Sequence, residues 1–242
     1  MKMPNRRPPI KVSAHFNKLI VKKLEKKKDL TTHKKLLKIH KETDAIKDWP
    51  INRTYLEYTL NLEHGVKKHK LGSNFVDFLK KRHLKTKESI SVLELGCGEG
   101  HFLAGLKKRL NENLIPSKVE GISLVDNTTI ENKKHIDRIK SIPVTEHIAT
   151  KKYDLIVDFY GAIYFSFSNI VNFKKEIILK YAYALKKGGV LIFNVEYMKG
   201  TSKLPSVIAH LKKQGFKANF YERDNHSSNQ SQYNTMIIER IK

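Results

Sequence analysis

The sequence predicts an α/β protein built on a mostly parallel sheet, and two observations lead to this class. Short apolar runs alternate with amphipathic stretches of helical length through most of the chain, the order that a parallel sheet with crossover helices requires. The first apolar run, residues 90–95, breaks at once into a turn containing Gly96, Gly98 and Gly100, and an amphipathic helix follows. A glycine turn between a buried strand and a helix is typical of sheets that bind ligands at the carboxyl ends of their strands.

The remaining elements of the predicted sheet follow in order. Further strands are predicted at residues 119–125, 139–144, 153–158, 190–195, 216–221 and 236–241, the last two as an antiparallel pair joined by the polar loop 222–234. Helices are predicted at residues 128–140, 169–186 and 202–214, and Gly188 with Gly189 is expected to end the second of these.

Upstream of the sheet the chain has a different character. Residues 1–50 are interpreted as a basic arm, disordered at first and helix-compatible from about residue 14, and Trp49-Pro50 marks a break. Residues 51–88 are predicted to form a helical cap leading into the core, with one helix from about residue 53 and another that Ser73 would cap. Residues 89–242 form the predicted ligand-binding domain.

Composition excludes several classes of protein. The chain has 242 residues, 40% of them hydrophobic, yet no apolar run approaches the ~20 residues of a membrane helix. The amino terminus lacks the apolar segment of a secretory signal, so a cytoplasmic location is expected. Cys97 is the only cysteine and the 11 histidines show no metal-binding spacing, so neither a disulfide nor a metal site is expected.

The formal net charge is +23, and the excess is concentrated upstream of residue 91. Residues 1–50 carry 15 Lys and Arg against 5 Asp and Glu, and residues 51–90 carry 9 against 4. Such a region attracts phosphates and releases their counterions on binding, which favours a polyanionic partner. Solvated lysines without any partner are the alternative.

The glycine turn is preceded by an anomaly, since Glu94 is a carboxylate inside an otherwise apolar strand. The run Val92-Leu-Glu-Leu-Gly-Cys-Gly-Glu-Gly100 resembles motif I of the class I S-adenosylmethionine (SAM)-dependent methyltransferases, hydrophobic-x-[Glu/Asp]-x-Gly-x-Gly-x-Gly. The nicotinamide-type fingerprint fits less well, because position 101 is His. The resemblance covers residues 89–242. It implies a Rossmann-like seven-stranded sheet of order 3-2-1-4-5-7-6 with the last strand antiparallel and helices on both faces.

The same resemblance implies which residues bind SAM as cofactor. Glu94 would hold the methionyl ammonium, and the glycine turn would underlie the cofactor through Gly96, Cys97, Gly98 and Gly100. At the end of the second strand, where the family usually has an acid for the ribose, this chain has Ser123. Asp126 is the alternative ribose ligand, unless it caps the next helix. Glu146 is the nearest candidate beside the adenine.

The end of the fourth strand corresponds to motif IV of the family. Asp158 and Tyr160 are the predicted catalytic residues: Asp158 would act as a base, orient the acceptor or contact the cofactor, and Tyr160 or Tyr164 would face a flat substrate or the sulfonium. The alternative is a strand-end acid that caps a turn, with aromatic side chains packed beside it.

Missing motifs narrow the chemistry. No Asn/Asp-Pro-Pro-aromatic motif follows the fourth strand, no second thiol exists for attack on a pyrimidine, and the fifth strand is not followed by the lysine of ribose methyltransferases. The sequence therefore predicts methyl transfer by direct displacement, most simply to structured RNA such as tRNA or rRNA. A small-molecule or protein methyltransferase, or a non-catalytic module with the same fold, are the alternatives.

Overall fold

A computed structural model gives the structure of the protein for residues 55–144, 146–159, 163, 171–194, 204–221 and 235–242. The expectations for the basic arm (residues 1–50), for Tyr160 and Tyr164, and for the polar loop at 222–234 lie outside these residues. Within the described ranges, no helix combines the length and the apolar character needed to cross a bilayer.

Seven strands and six helices are described. The strands are β1 (Ile90–Leu95), β2 (Ser117–Ser123), β3 (Arg138–Ser141), β4 (Tyr153–Asp158), β5 (Leu185–Asn194), β6 (Phe216–Tyr221) and β7 (Thr235–Arg240). The helices are α1 (Tyr55–Lys68), α2 (Phe75–Thr86), α3 (His101–Glu112), α4 (Ile130–Lys133), α5 (Val171–Tyr183) and α6 (Leu204–Lys213).

The strands form one sheet of order β3-β2-β1-β4-β5-β7-β6. All pairs from β3 to β5 are parallel, and β7 runs antiparallel to both β5 and β6. The order reverses between β1 and β4, which is the switch point where open α/β sheets bind ligands beyond the carboxyl ends of the strands. The predicted fold class and strand order are confirmed.

A hydrophobic core lies on each face of the sheet. On one face, buried side chains of α1, α2 and α3 pack with β1, β4, β5 and β7, including Leu62, Phe75 and Leu106. On the other face, α5 and α6 cover the sheet through Tyr181 and Leu211. Helices α1 and α2 therefore share a buried core with the sheet that follows them.

A buried ion pair fastens α2 to the amino ends of the strands. Arg82 donates to Asp154 at 3.0 Å, and the Asp154 side chain is almost fully buried. The second carboxylate oxygen of Asp154 accepts from the backbone N–H of Ser91 at 2.9 Å and lies 3.0 Å from Lys186. One carboxylate thus links α2, β1, β4 and β5.

The predicted cap at Gly188 and Gly189 is wrong, because both glycines lie inside β5 and α5 ends before them at Tyr183. The pairing of β4 with β5 shifts from Tyr153↔Leu185 to Leu155↔Val190, so the extra residues of β5 form a bulge. Gly188 has φ of 69°, and a Cβ there would lie 2.6 Å from the Arg82 guanidinium. The glycine therefore accommodates the buried ion pair.

Two helix boundaries also differ from the prediction. The cap of α2 is Asn74, whose side chain accepts from the Asp77 N–H at 2.8 Å, whereas Ser73 donates to the Asp77 carboxylate. The predicted helix 128–140 is only the single turn α4, capped by Thr129. It ends early because the Asp137 carboxylate accepts from Val119 N–H at 2.8 Å and draws the chain into β3.

A buried histidine beneath α5 gives a first prediction. His147 lies 3.3 Å from the Tyr181 hydroxyl and 3.4 Å from the Lys140 ammonium. Burial, with Lys140 and Lys180 nearby, lowers the pKa of His147 to about 4 from 6.5. Between pH 4 and pH 6.5 His147 binds a proton in the unfolded chain but not in the folded chain, so the free energy of unfolding decreases as the pH falls from 6.5 to 4.

We expect His147→Gln to reduce the loss of stability at acid pH. The measurement is the urea midpoint of unfolding as a function of pH between about pH 4 and pH 7. His210→Gln, a change of a histidine on α6, is the matched control and should leave the slope as in the wild type. An equally steep acid limb in both variants would contradict the role of His147.

Candidate functional site

The candidate site lies at the carboxyl ends of β1, β2 and β4. The backbone N–H groups of Gly96 and Cys97 both donate to the Ile122 carbonyl, at 2.7 and 3.0 Å, so the turn after β1 bends toward β2. In the sheet, Glu94 lies between Gly121 of β2 and Val157 of β4. The turn and the acid are thus at the switch point of the sheet.

The turn depends on glycine in two different ways. Gly98 has φ of 49°, and a Cβ built on it would meet no atom within 4 Å among the described residues. Gly100 has φ of 79°, but its Cβ would lie 2.7 Å from Ile136 and 2.8 Å from Thr128. Gly98 therefore borders open space, whereas Gly100 is packed against the segment that follows β2.

Glu94 is buried, with 3% of its surface exposed. Among the described residues its Oε2 has no hydrogen-bond donor. Burial, and secondarily the charge of Asp158, hold the pKa of Glu94 well above its usual range. A buried carboxyl oxygen without a donor is costly to the fold, so this position suits a cationic or hydrogen-bonding ligand.

Asp158, the predicted catalytic acid, is also buried. One of its carboxylate oxygens accepts from the backbone N–H of Ile163 at 2.5 Å. The catalytic role of Asp158 and its turn-capping alternative both remain predictions. After burial, the negative charge of Asp158 is the second cause of the raised pKa values of Glu94 and Tyr181.

The two residues predicted near a ribose occupy different environments. Ser123 is buried at the end of β2, where its carbonyl accepts from the N–H of Ile142. Asp126 is exposed, accepts from the Thr128 N–H at 3.1 Å and pairs with Lys133 at 2.8 Å. Burial acts to raise the pKa of Asp126, but the contacts with Lys133 and Thr128 outweigh it, so this pKa lies below its usual value. The cap of α4 is Thr129, so Asp126 is not its N-cap.

Cys97 belongs to the turn, but its side chain faces the interior. It is 5% exposed, and a Cβ on Gly121 would lie 2.5 Å from its Sγ. Burial, followed by the charges of Glu94 and Asp126, raises the pKa of the thiol. Only the backbone of Cys97 can therefore face a ligand. Glu146, the adenine candidate, is exposed in the segment between β3 and β4.

A network that the sequence analysis missed holds the turn in place. The buried Asn132 side chain donates to the Glu99 carbonyl at 2.8 Å and lies 3.1 Å from Nδ1 of His101. Nε2 of His101 in turn donates to the Glu99 carboxylate at 2.8 Å. The predicted helix over 128–140 gave no reason to connect Asn132 with a turn residue 33 positions earlier. The glycine turn is thus fixed from both sides.

The described part of the chain contains no group of three or more His, Cys, Asp or Glu placed to hold a metal ion. The site instead combines a buried acid, a second acid nearby and open space over Gly98. This arrangement can hold a cationic group at the switch point of the sheet.

Comparison with known proteins adds a fold assignment. A protein from Listeria monocytogenes, described as a class I SAM-dependent methyltransferase, is 16% identical, with 96% of this chain and 81% of that chain covered and a TM-score of 0.50. Magnesium protoporphyrin IX methyltransferase from Synechocystis PCC 6803, with S-adenosylhomocysteine bound, is 12% identical, with 86% and 99% covered and a TM-score of 0.52. No protein-family model and no curated protein sequence matches the chain.

The strand order and these structures together define the class: the chain has the fold of the class I SAM-dependent methyltransferases. The resemblance noted at motif I is therefore confirmed at the level of the fold. Identities of 12% and 16% carry no conclusion about substrate.

Proposed function

We propose that the protein is a SAM-dependent methyltransferase that transfers a methyl group to structured RNA such as tRNA or rRNA. The observation that carries the cofactor assignment is the buried Oε2 of Glu94, which lacks a donor among the described residues. A fold that keeps such a carboxylate at its switch point is stabilised when a cation reaches it.

The residues present fit SAM. Glu94 would accept hydrogen bonds from the α-ammonium of the methionyl group, and the backbone of Gly96 and Gly98 would lie under the cofactor. The open space over Gly98 is consistent with this, because a side chain there would occupy the volume that a ligand needs. Ser123 and Asp126 are the candidates for the ribose hydroxyls.

SAM supplies an electrophilic methyl group on a sulfonium, so the protein's main task is positioning. Holding the acceptor in line with the methyl carbon can supply on the order of 7–11 kcal/mol of the rate acceleration. Asp158, the last residue of β4, would orient the acceptor, and Tyr160 would be the aromatic contact. Direct displacement then needs no covalent intermediate on Cys97.

The RNA assignment rests on charge. Residues 1–50 carry a net charge of +10, and residues 51–90 a further +5. This excess immediately precedes the domain that contains the site. Phosphate contacts made by Lys and Arg supply much of the affinity of nucleic-acid-binding proteins and make it salt-dependent.

A small-molecule methyltransferase is the second candidate, and one observation favours it. The described side chains around the glycine turn and the end of β4 include Glu94, Glu99, Asp126 and Asp158, which suit a neutral or cationic acceptor better than a phosphate. A protein acceptor, or a binding module without activity, is distinguished from these by the same experiment.

The test is transfer from tritiated SAM to separated pools of RNA, protein and metabolites, combined with calorimetric titration of the full chain with SAM. We expect heat of binding and label in the RNA pool. Label only in metabolites or protein would overturn the RNA assignment, and binding without label in any pool would indicate a non-catalytic module. Absence of binding heat would contradict the cofactor assignment.

A matched pair of glycine variants distinguishes a glycine that leaves room for the ligand from a glycine that is required for packing. Gly98→Ala and Gly100→Ala both place alanine in the left-handed region, at a similar cost of about 1–2 kcal/mol. We expect Gly98→Ala to weaken SAM binding at least tenfold with only this modest loss of stability. Gly100→Ala should lose more stability, because its Cβ meets Ile136 and Thr128. Thermal unfolding and calorimetry measure the two effects, and equal SAM affinity in Gly98→Ala and the wild type would contradict the placement.

A further inference from the structure

The edge of the sheet opposite the candidate site is strongly basic. Parallel strands begin at this edge, and the segments that lead into them carry lysines in pairs. Lys151 and Lys152 precede β4, Lys186 and Lys187 lie in the bulge that opens β5, and Lys212 with Lys213 precedes β6. The end of β7, which runs in the opposite direction, adds Lys242 at the same edge.

Direct contacts make these segments one continuous surface. Lys152 donates to the carbonyl of Tyr183, and Arg240 donates to the carbonyls of Tyr183 and Leu185. The N–H of Ile241 donates to the Gly215 carbonyl at 3.2 Å, which joins the end of β7 to the start of β6. We name the exposed lysines on this side of the fold the amino-edge surface: Lys87, Lys152, Lys187, Lys212, Lys213 and Lys242.

The acids nearest these lysines are already paired with basic side chains. Asp154 is buried and shared by Arg82 and Lys186. Glu88 lies 3.0 Å from Lys186, Glu120 lies 3.1 Å from Lys151, and Glu239 lies 3.7 Å from Lys217. The acids Glu94 and Asp158 lie at the other end of the strands, roughly 20 Å away at about 3.3 Å per residue. The described fold is therefore polarised, with acids around the candidate site and lysines at the opposite edge.

We propose that the amino-edge surface binds the phosphate backbone of RNA. It spans the starts of β1, β4, β5 and β6 and the end of β7, four strand spacings or about 19 Å. This length is enough to face several consecutive phosphates along one strand of a duplex. The exposed ring of Tyr183, held through its hydroxyl to Gln214 at 2.9 Å, lies among the lysines and can stack on an unpaired base.

This inference rests on the proposed RNA substrate and locates a second contact with it, away from the acceptor. A structured RNA of tRNA size is long enough to reach from one edge of the sheet to the other. The distant contact would hold the RNA while its acceptor base lies at the carboxyl edge. The surface itself needs no cofactor, so its RNA affinity is measurable without SAM.

The test uses the full chain and a fluorescein-labelled RNA duplex of about 20 base pairs, with binding measured by anisotropy between roughly 50 and 300 mM salt. The variant Lys187→Gln/Lys213→Gln/Lys242→Gln changes exposed side chains only. We expect its affinity to fall at least tenfold at about 150 mM salt and its log–log salt slope to shrink by about 2. The matched control, Lys67→Gln/Lys80→Gln/Lys108→Gln, removes the same charge from the outer faces of α1, α2 and α3 and should stay within about threefold of the wild type.

Equal affinity in the triple variant and the wild type would overturn the inference, and so would an equal loss in the control or no binding by the wild type. Loss of binding to vesicles of about 30% phosphatidylserine, with duplex affinity intact, would assign the surface to membranes instead. Thermal unfolding and SAM titration of both variants check folding and the candidate site. If the triple variant transfers methyl groups to RNA as well as the wild type does, the proposed function stands and the assignment of the amino-edge surface to RNA binding is wrong.

Discussion

Replacing Glu94 by Gln is expected to weaken SAM binding by about 30-fold to several thousand-fold. The change removes the negative charge that would face the methionyl ammonium, and losing one partner of a buried charged pair costs about 2–5 kcal/mol. Calorimetric titration of the full chain measures the effect. Glu99→Gln is the matched control, because its carboxylate belongs to the same turn but is engaged by His101.

Stability distinguishes this loss from a folding defect. In the ligand-free protein Glu94 lies near the charge of Asp158 and its Oε2 has no donor among the described residues, so the Glu94→Gln change should not lower the unfolding temperature. Weakened SAM binding with an unchanged or raised unfolding temperature is the expected result. Equal losses of SAM affinity in Glu94→Gln and Glu99→Gln would contradict the specific role of Glu94.

The raised pKa of Glu94 also gives SAM affinity a pH dependence. Only the ionised carboxyl attracts the ammonium, so affinity should rise with pH until it passes the raised pKa and then level off. For the ligand-free protein the sign is opposite. The folded state retains a proton that the unfolded state releases above pH 4.5. The Glu94 contribution to stability therefore declines as the pH rises from 4.5 to the raised pKa of the folded state. Both dependences should be absent in Glu94→Gln.

The second large effect is expected at Arg82. Arg82→Met leaves the buried Asp154 with Lys186 and the Ser91 N–H as its partners, and breaking a buried ion pair costs about 3–5 kcal/mol. Lys186 offsets part of this, so a loss of about 3 kcal/mol in the free energy of unfolding is expected. Urea denaturation measures it, with SAM affinity compared on the folded fraction.

Lys81→Met is the matched control, because Lys81 pairs with Asp77 on the exposed side of the same helix. A surface pair of this kind contributes at most about 1 kcal/mol. The double variant Arg82→Met/Asp154→Leu should recover part of the lost stability, because the buried carboxylate is gone and Lys186 keeps Glu88 as its partner. Similar losses in Arg82→Met and Lys81→Met would show that α2 is not fastened through Asp154.

The alternation of β1 to β7 was predictable because each strand is a short apolar run between helical or polar segments. The antiparallel strands β6 and β7 were predicted to within one residue. The β5 bulge was not, because Gly188 and Gly189 have the local signature of a helix end. Gly188 instead leaves room for the Arg82 guanidinium, and Gly189 for the backbone carbonyl of Tyr153 on the neighbouring strand. Both partners lie far earlier in the chain, so no local pattern indicates these contacts.

The candidate site divides in the same way. Glu94 and the three glycines were recognisable because strand, acid and turn are adjacent in the sequence. The Asn132 network was not, since it joins segments 31 and 33 residues apart through contacts that need the folded sheet. Asp158 was located at the correct strand end, but its contact with Ile163 depends on the path of the chain after β4, which composition does not determine.

Cys97 makes the turn experimentally accessible. As the single thiol of the chain, packed against Gly121, it can react with an aromatic disulfide reagent only when the segment around it opens. The rate of that reaction is therefore a direct measure of local opening at the place where the donor would bind. A ligand that binds at the turn should slow the labelling of Cys97. The absorbance of the released thiolate can therefore be used to screen candidate compounds without knowledge of the acceptor.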